Sequence, residues 1–140
     1  MARVGFSKIG ESPFQQLLGH NSEILKQWDL LIDSFFNSAT FPFEFKEELR
    51  RVLAYANGCQ YCMAKAAPSE NVEDARLQRA IAFSKEVAKD HTSITDAHFV
   101  PLREVFTEAE IAELCALVCF FSANHRFGAI LALQPSCNVV

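Results

Sequence analysis

The sequence has no apolar segment long enough to cross a bilayer. Its longest apolar run, at residues 114–121, is far shorter than the roughly 20 residues that a membrane-spanning helix needs. The N-terminus also lacks the apolar segment of a secretory signal. These absences predict a cytoplasmic protein with no membrane partner.

An excess of positive charge is absent as well. The chain has 13 Lys and Arg residues against 17 Asp and Glu residues, which gives a net charge of -4. Its pI is near 5.5. Proteins that bind nucleic acids or anionic membranes carry basic patches, so we expect neither partner here.

Cysteine is too scarce and too irregular for a secreted disulfide framework. There are five cysteines, an odd number. Cys115 and Cys119 lie four residues apart inside an apolar run, where buried free cysteine is common, so we expect both to fill the core. No partner is evident for Cys137.

Strand patterns are also scarce, because apolar and polar residues alternate only briefly and β-branched residues are few. We therefore predict an all-α fold, one helical bundle of six to eight helices spanning residues 1–140. Half of the residues are hydrophobic and 13 are Phe. This apolar supply can fill a core and cover a subunit interface, so we expect an oligomer.

Local signals predict the first two helices. The run Ser12-Pro13-Phe14-Gln15 favours a helix start, and Gly19 favours its end. A second helix is predicted from Asn21 or Ser22, followed by a connector at residues 37–43. Apolar residues of the second helix recur at the helical period and predict one buried stripe. They are Ile24, Leu25, Trp28, Leu31, Ile32 and Phe35.

Three more helices are predicted in the middle of the chain, at residues 46–56, 59–67 and 72–89. Asn57-Gly58 supplies the permissive backbone for a sharp break between the first two. Ser69 or Asn71 is the predicted cap of the third, whose inward face includes Ala80 and Ser84.

The C-terminal part contains the strongest helix signal. Thr107 with Glu110 forms a predicted capping box, and the helix that follows runs toward Asn124 until Gly128 interrupts it. A shorter helix precedes it, restricted by Pro101.

One segment, residues 45–66, contains a pair of thiols that suggests redox chemistry. Cys59 and Cys62 form a Cys-x-x-Cys motif directly after Asn57-Gly58. Two thiols at this spacing can close a disulfide, and a helix N-terminus stabilises a thiolate. The same motif can be half of a zinc site or two unrelated core thiols. Structural zinc needs about four ligands, and this chain has no second pair, so only a site shared between subunits would supply them.

The spacing of Glu47, Asn57-Gly58, Cys59 and Cys62 resembles the alkyl hydroperoxidase D-like group of the carboxymuconolactone decarboxylase family. The similarity extends over residues 14–131 and includes the run Phe120-Phe121-Ser122-Ala123-Asn124-His125-Arg126. It implies an all-α fold and assembly into a homotrimer or homohexamer. It also implies a peroxidase or disulfide reductase without bound cofactor or metal, re-reduced by a dithiol partner such as a lipoyl or thioredoxin-like protein.

Residue roles follow from the resemblance. Glu47 would relay protons to the thiol pair, and Cys59 and Cys62 would cycle between dithiol and disulfide. The family usually assigns peroxide attack to the second cysteine, whereas the helix dipole favours Cys59, so the order stays open. The family histidine, four residues after the second cysteine, is replaced by Ala66, which cannot accept a proton.

Other residues near the motif have alternative interpretations. Tyr61 could donate a hydrogen bond to a thiolate or pack in the core. His98 and His125 are candidates to replace the missing base, although a structural role is the more common one for histidine. Glu47, with Arg50 and Arg51, could also lie in solvent on the outer face of its helix.

Two classes of function therefore compete. The first is a thiol-dependent antioxidant protein that reduces hydroperoxides or a partner disulfide through Cys59 and Cys62. The second is an inactive oligomeric binding module, favoured by Ala66. Lactone decarboxylation, which the broad family name suggests, is a third and weaker option, since it does not require paired thiols.

Overall fold

The computed structural model describes residues 1–135. Within this range the chain forms seven α-helices and no strand, which confirms the all-α prediction and the expected number of helices. The helices are α1 (Pro13–Leu18), α2 (Ser22–Asn37), α3 (Phe43–Ala56), α4 (Gln60–Met63), α5 (Ala75–Asp90), α6 (Asp96–Arg103) and α7 (Glu108–Ile130). A single 3-10 turn, His91–Ser93, follows α5.

The main core lies between α3, α5 and α7. Leucine and phenylalanine side chains of α3 and α7 dominate it, and α5 contributes Ala80 and Phe83. A second cluster joins α1 to the start of α2 and to Leu133. The cysteines of α4 lie in a third, smaller cluster with Ala54, directly beside the C-terminal half of α7. The α4 helix is therefore held between α3 and α7.

Capping side chains begin α1 and α7 where the sequence predicts. The Ser12 hydroxyl accepts from the Gln15 backbone N–H at 3.2 Å, and the Gln15 side chain accepts from the Ser12 N–H at 3.1 Å. Thr107 and Glu110 form the same reciprocal pair at the start of α7. Each pair satisfies two backbone N–H groups that would otherwise lack partners.

Several predicted boundaries in the middle of the chain are wrong. The α3 helix begins at Phe43 instead of residue 46, and α5 begins after Asp74, whose carboxylate accepts from the Leu77 N–H at 2.9 Å. The α4 helix covers only Gln60–Met63 instead of residues 59–67. Beyond it, Pro68 disfavours helical backbone in the preceding residue.

Two buried charges of α3 fix the segments on either side of the site. The Lys46 ammonium donates to the carbonyls of Phe35, Phe36 and Ser38 at 2.7–2.9 Å and so caps the end of α2. Burial lowers the pKa of Lys46, and the charge of Glu113 raises it in part. The Glu48 carboxylate accepts from the N–H and hydroxyl of Ser69, which anchors the chain after α4.

The predicted buried stripe of α2 is wrong for two of its six residues. Leu25 is buried, but Ile24 and Leu31 are exposed. The helix lies on the outside of the bundle, where Trp28 and Phe35 pack against Phe120 of α7 and leave Ile24 and Leu31 uncovered. The α2 helix therefore presents an apolar outer face.

Of the two cysteines inside α7, Cys115 packs against the main core as predicted, but Cys119 does not. Cys115 is half-buried, but Cys119 is exposed because it lies on the outer side of the helix. Burial, followed by the neighbouring Cys119 thiol, raises the pKa of Cys115. Cys137 lies outside the described residues. None of the helices in residues 1–135 combines the length and hydropathy that a bilayer span requires.

Candidate functional site

The Cys-x-x-Cys pair follows a turn that α7 orients. Gly58 has φ +68°, which glycine adopts without strain and which ends α3 sharply. The Asn57 amide donates to the Leu53 carbonyl at 3.0 Å and to the Ser122 hydroxyl at 3.3 Å, and its oxygen accepts from Arg126 Nε at 3.0 Å. Two residues of α7 thus hold the turn that delivers Cys59.

Cys59 and Cys62 form a disulfide, with their Cα atoms 5.2 Å apart. Cys59 is the N-cap of α4, and its sulfur accepts from the Cys62 N–H at 3.2 Å. Both residues are buried, with relative exposures of 0% for Cys59 and 4% for Cys62. Because α4 has only four residues, its dipole gives little preference for Cys59 as the thiolate.

Gly128 of α7 lies against the disulfide. A methyl group at this position would be 2.8 Å from Cys59 Sγ and 3.7 Å from Cys62 Sγ. The helix continues past Gly128 to Ile130, so the predicted interruption is wrong. Sequence reasoning missed this residue as part of the site, although a glycine inside a helical pattern is a recognised signal of close packing.

An open cleft of about 560 Å³ reaches one of the two sulfur-bearing residues. Cys62 lines it, together with Tyr61 and Lys65 from the same segment, whereas Cys59 does not. The other wall is formed by the segment before α1, by α1 and α2, and by one residue of α7. These are Glu11, Ser12, Phe14, Gln15, Asp29, Ile32, Asp33 and Asn124. Of the two cysteines, Cys62 is therefore the one that faces the cleft.

Glu47 is held by two arginines rather than exposed on the outer face of α3. Its carboxylate accepts from Arg50 at 2.7 and 2.8 Å and from Arg51 at 3.2 Å. The hydrogen bonds from Arg50 lower the pKa of Glu47, while burial opposes this and Arg51 adds to it. Arg50 also donates to the Cys62 carbonyl at 3.4 Å, so Glu47 reaches the motif through Arg50.

His125 is the histidine that the fold brings to the site. It is 1% exposed and lies on α7 one turn before Gly128. Its Nδ1 has no hydrogen-bond partner within residues 1–135. Burial lowers the pKa of His125 to about 4, helped by the charges of Arg50 and Lys65 and opposed by the Leu53 carbonyl. The imidazole is therefore neutral at pH 7, and the same burial disfavours the imidazolium that proton uptake would form.

The other histidines have local structural contacts. His98 accepts from the Thr95 N–H at 3.0 Å at the start of α6, and it lines a groove between α5 and α6 that contains neither cysteine of the motif. His20 pairs with the Gly5 carbonyl at 2.7 Å, and His91 is the C-cap of α5. Of the two candidates for the missing base, His125 lies on α7, which packs against α4, whereas His98 lies on α6.

Tyr61 and Lys65 form the α4 side of the cleft. Tyr61 is half-buried, and the Lys65 ammonium lies 5.4 Å from the centre of its ring. Burial is the main cause that lowers the pKa of Lys65, followed by the charge of Arg50, while Glu47 raises it. Ala66 follows Lys65 and supplies no ionisable group. In residues 1–135 no group of three or more His, Cys, Asp or Glu side chains is arranged to hold a metal ion.

Comparison with known proteins gives similarity in structure but not in sequence. No protein-family model matches the chain, and no curated protein matches it. The chain is similar to the solved structure of an uncharacterized peroxidase-related protein from Silicibacter sp. TM1040, with a TM-score of 0.74 and 18% identity. That match covers 88% of this chain and 75% of the other.

A second similar structure is described as an alkylhydroperoxidase AhpD core, an uncharacterized peroxidase-related protein from Ralstonia eutropha JMP134. Here the TM-score is 0.70 at 18% identity, over 87% of this chain and 75% of the other. The chain has an AhpD-like fold. Identity of this size shows the fold alone, so the activity must be argued from the site.

Proposed function

We propose that this protein is a thiol-dependent antioxidant protein of the alkyl hydroperoxidase D-like group of the carboxymuconolactone decarboxylase family. The observation that carries the proposal is the Cys59–Cys62 disulfide, with Cys62 on the surface of an open cleft. The AhpD-like fold supports it, because the names of both similar structures refer to peroxidases.

In the proposed reaction the Cys62 thiolate attacks one oxygen of a hydroperoxide. The O–O bond breaks, Cys62 becomes a sulfenic acid, and the alkoxide leaves as an alcohol after it takes up a proton. Cys59 then attacks the Cys62 sulfur as a thiolate, and the sulfenic oxygen leaves as water. This forms the disulfide and completes a two-electron reduction of the peroxide. A partner disulfide would be reduced by the same thiol pair through exchange.

We assign His125 as the base that replaces the family histidine. It is neutral at pH 7, its Nδ1 has no partner in the described residues, and a methyl group on Gly128, one turn further along α7, would lie 2.8 Å from Cys59 Sγ. Arg50, oriented by Glu47, adds positive charge that favours a thiolate at Cys62. Tyr61 provides a phenol at the same wall of the cleft. A positioned base contributes about 10²–10⁴-fold to proton transfer.

The partners follow from the same proposal. A cytoplasmic dithiol, of the lipoyl or thioredoxin-like kind, would re-reduce the pair. The protein would act as a homotrimer or homohexamer, and the apolar outer face of α2 supports association between copies. This face includes a groove of about 400 Å³ that is lined by Ile24, Trp28, Leu31 and Phe120, among others. An exposed apolar surface of this kind is typical of interfaces.

The test is consumption of an alkyl hydroperoxide in the presence of a dithiol. Cys62→Ser should abolish turnover, and pre-reduced Cys59→Ser, assayed without the dithiol, should consume one equivalent of peroxide and keep a sulfenic acid at Cys62, whereas the parent protein forms the disulfide. Cys119→Ser is the matched control, because Cys119 is an exposed thiol away from the cleft. Equal loss in the Cys119 variant, or full activity without Cys62, would exclude the proposed mechanism.

The alternative is an oligomeric binding module without redox turnover. Ala66 favours it, since the family position of the histidine has no proton acceptor. A binding module should keep its function in the Cys59→Ser/Cys62→Ser double variant. It should also show no thiol reactivity at Cys62 until the protein unfolds, whereas the redox protein should react while folded.

A further inference from the structure

The cleft above Cys62 is unevenly charged. Three carboxylates, those of Glu11, Asp29 and Asp33, line it, and Lys65 is the one basic side chain in its lining. Asp29 and Asp33 lie four residues apart on α2, so both project from the same face of that helix. The cleft thus combines a reactive disulfide with an acidic wall.

These carboxylates are not neutralised by the protein around them. Within residues 1–135, no salt bridge includes Glu11, Asp29 or Asp33. Asp29 accepts a hydrogen bond from the Gln15 side-chain amide at 3.0 Å, but that donor is neutral and leaves the charge in place. By contrast, Glu47 is fully engaged by arginines. The negative charge of the cleft wall is therefore available to an incoming molecule.

We propose that the reductant that opens the Cys59–Cys62 disulfide is a neutral or cationic thiol, and that the carboxylates of the cleft discriminate against anionic thiols such as glutathione. The inference rests on the proposed function and specifies its reducing substrate. The pair is oxidised, so the next molecule that it must meet is the reductant.

The chemistry makes the charge of this reactant important. A thiolate attacks Cys62 Sγ, the bond to Cys59 breaks, and Cys59 leaves as a thiolate that takes up a proton. A second thiolate then attacks the outer sulfur of the mixed disulfide and releases Cys62. Two thiols are oxidised to one disulfide, and the protein gains two electrons and two protons. Because each attacking species is already negative, a carboxylate on it adds a second repulsive charge.

The expected size of the discrimination follows from Coulomb's law. At about 8 Å in a water-like medium, one unit charge changes the rate for another by about twofold. A cationic and an anionic thiol differ by two charges, so loss of both α2 carboxylates removes four pairwise interactions and should lower their rate ratio by about 16-fold at low salt. Added salt should reduce the ratio as well, since its ions screen exposed charges.

The experiment measures reduction of the folded, oxidised protein by three small thiols of similar size. These are cysteamine, which is cationic, 2-mercaptoethanol, which is neutral, and 3-mercaptopropionate, which is anionic. Rates are expressed per thiolate, because the three thiols ionise to different extents. The oxidised protein is compared with its Asp29→Asn/Asp33→Asn variant and with Glu73→Gln, a control that removes an exposed carboxylate outside the cleft.

The inference predicts that cysteamine is fastest and 3-mercaptopropionate slowest, and that the difference shrinks in the Asn variant and at high salt but not in Glu73→Gln. If the double variant does not fold, the inference is tested by whether added salt reduces the rate difference among the thiols for the unaltered protein. Equal rates for the three thiols, at every salt concentration, would overturn the inference and leave the redox function intact. If no thiol reduces the folded protein, the proposed function fails and the inference fails with it.

Discussion

Gly128 of α7 and Cys59 are in contact so close that a methyl group on the glycine would be 2.8 Å from the Cys59 sulfur. This relationship joins the longest helix of the protein to the disulfide. It also explains why a glycine is present in the interior of a helix, where it costs about 1 kcal/mol relative to alanine. A methyl group placed against the sulfurs would cost more stability than the glycine loses in helix propensity.

Gly128→Ala should destabilise the oxidised protein. The gain in helix propensity, about 1 kcal/mol, is smaller than the cost of overpacking, typically about 1–3 kcal/mol. The loss should be smaller in the reduced protein, because free thiols can rotate away from the new methyl group. Denaturant unfolding of both redox forms measures this difference.

The control for this prediction is Gly5→Ala, since a methyl group at Gly5 would meet nothing within 4 Å. It should leave both redox forms unchanged. Equal stability of the oxidised Gly128→Ala and parent proteins would show that the contact with Cys59 does not restrict this position.

His125 should make the stability of the protein depend on pH. Its pKa is about 4 in the folded protein and 6.5 as an unperturbed side chain, so between these values the unfolded state binds more protons. Stability should therefore fall as the pH falls from 6.5 to 4, by up to about 3 kcal/mol from this residue. His125→Gln should flatten the dependence in this range, whereas His91→Gln, which changes an exposed histidine, should not.

The same substitution tests the proposed catalytic role. His125→Gln should slow peroxide reduction by about 10²-fold or more at pH 7, because glutamine cannot accept the thiol proton. Single-turnover rates over a pH series separate this effect from a structural one, since a lost base is replaced in part by hydroxide as the pH rises. A uniform loss at all pH values would indicate that His125 only supports the packing of α3 against α7.

Glu47→Gln should destabilise the protein by about 1 kcal/mol, because Arg50 and Arg51 lose a partly buried ionised partner. The lowered pKa of Glu47 sets the direction of the pH dependence. Its contribution is present above the unperturbed value of 4.5 and is lost as the pH falls through the folded pKa. Urea unfolding should therefore give a lower free energy of unfolding for Glu47→Gln than for the parent protein at pH 7. At pH 3 the two free energies should become similar.

Glu44→Gln is the matched control for Glu47. Glu44 is exposed in the first turn of the same helix and forms no salt bridge among the described residues. If the Glu44 and Glu47 variants lost equal stability at neutral pH, the pairing with Arg50 and Arg51 would have no special role.

Leu31→Glu should prevent self-association if the outer face of α2 is the interface. Leu31 is exposed beside Ile24 and Trp28, and a buried unpaired carboxylate is costly in an apolar contact. Sedimentation would then show a smaller species. Val100→Glu, which alters an exposed apolar residue on α6, should leave the assembly unchanged. The same oligomer in both variants would place the interface elsewhere.

Much of the local structure follows from short-range chemistry. The capping boxes at Ser12 and Thr107 begin helices because a hydroxyl three residues before a backbone N–H can satisfy it, whatever the rest of the chain does. Gly58 ends α3 because it adopts a positive φ without strain. The Cys-x-x-Cys spacing likewise allows a disulfide within one turn.

Other predictions failed where contacts between residues far apart in the sequence determine the local structure. Asp74 rather than Ser69 caps α5, because Glu48 of α3 holds Ser69 from 21 residues away in sequence. Two of the six residues in the apolar stripe of α2 are exposed, since the helical period predicts which residues share a face but not whether another element covers it.

The sequence by itself determined the all-α fold, most helix starts and the thiol pair, because each depends on residues within a few positions of one another. Only the tertiary structure decided which side chains accompany the thiols. Gly128 lies more than sixty residues beyond Cys62 and reaches the disulfide because α7 packs against α4, and His125 lies one turn before Gly128 on the same helix. Such proximity results from packing over the whole core, and the spacing of residues within a short segment does not predict it.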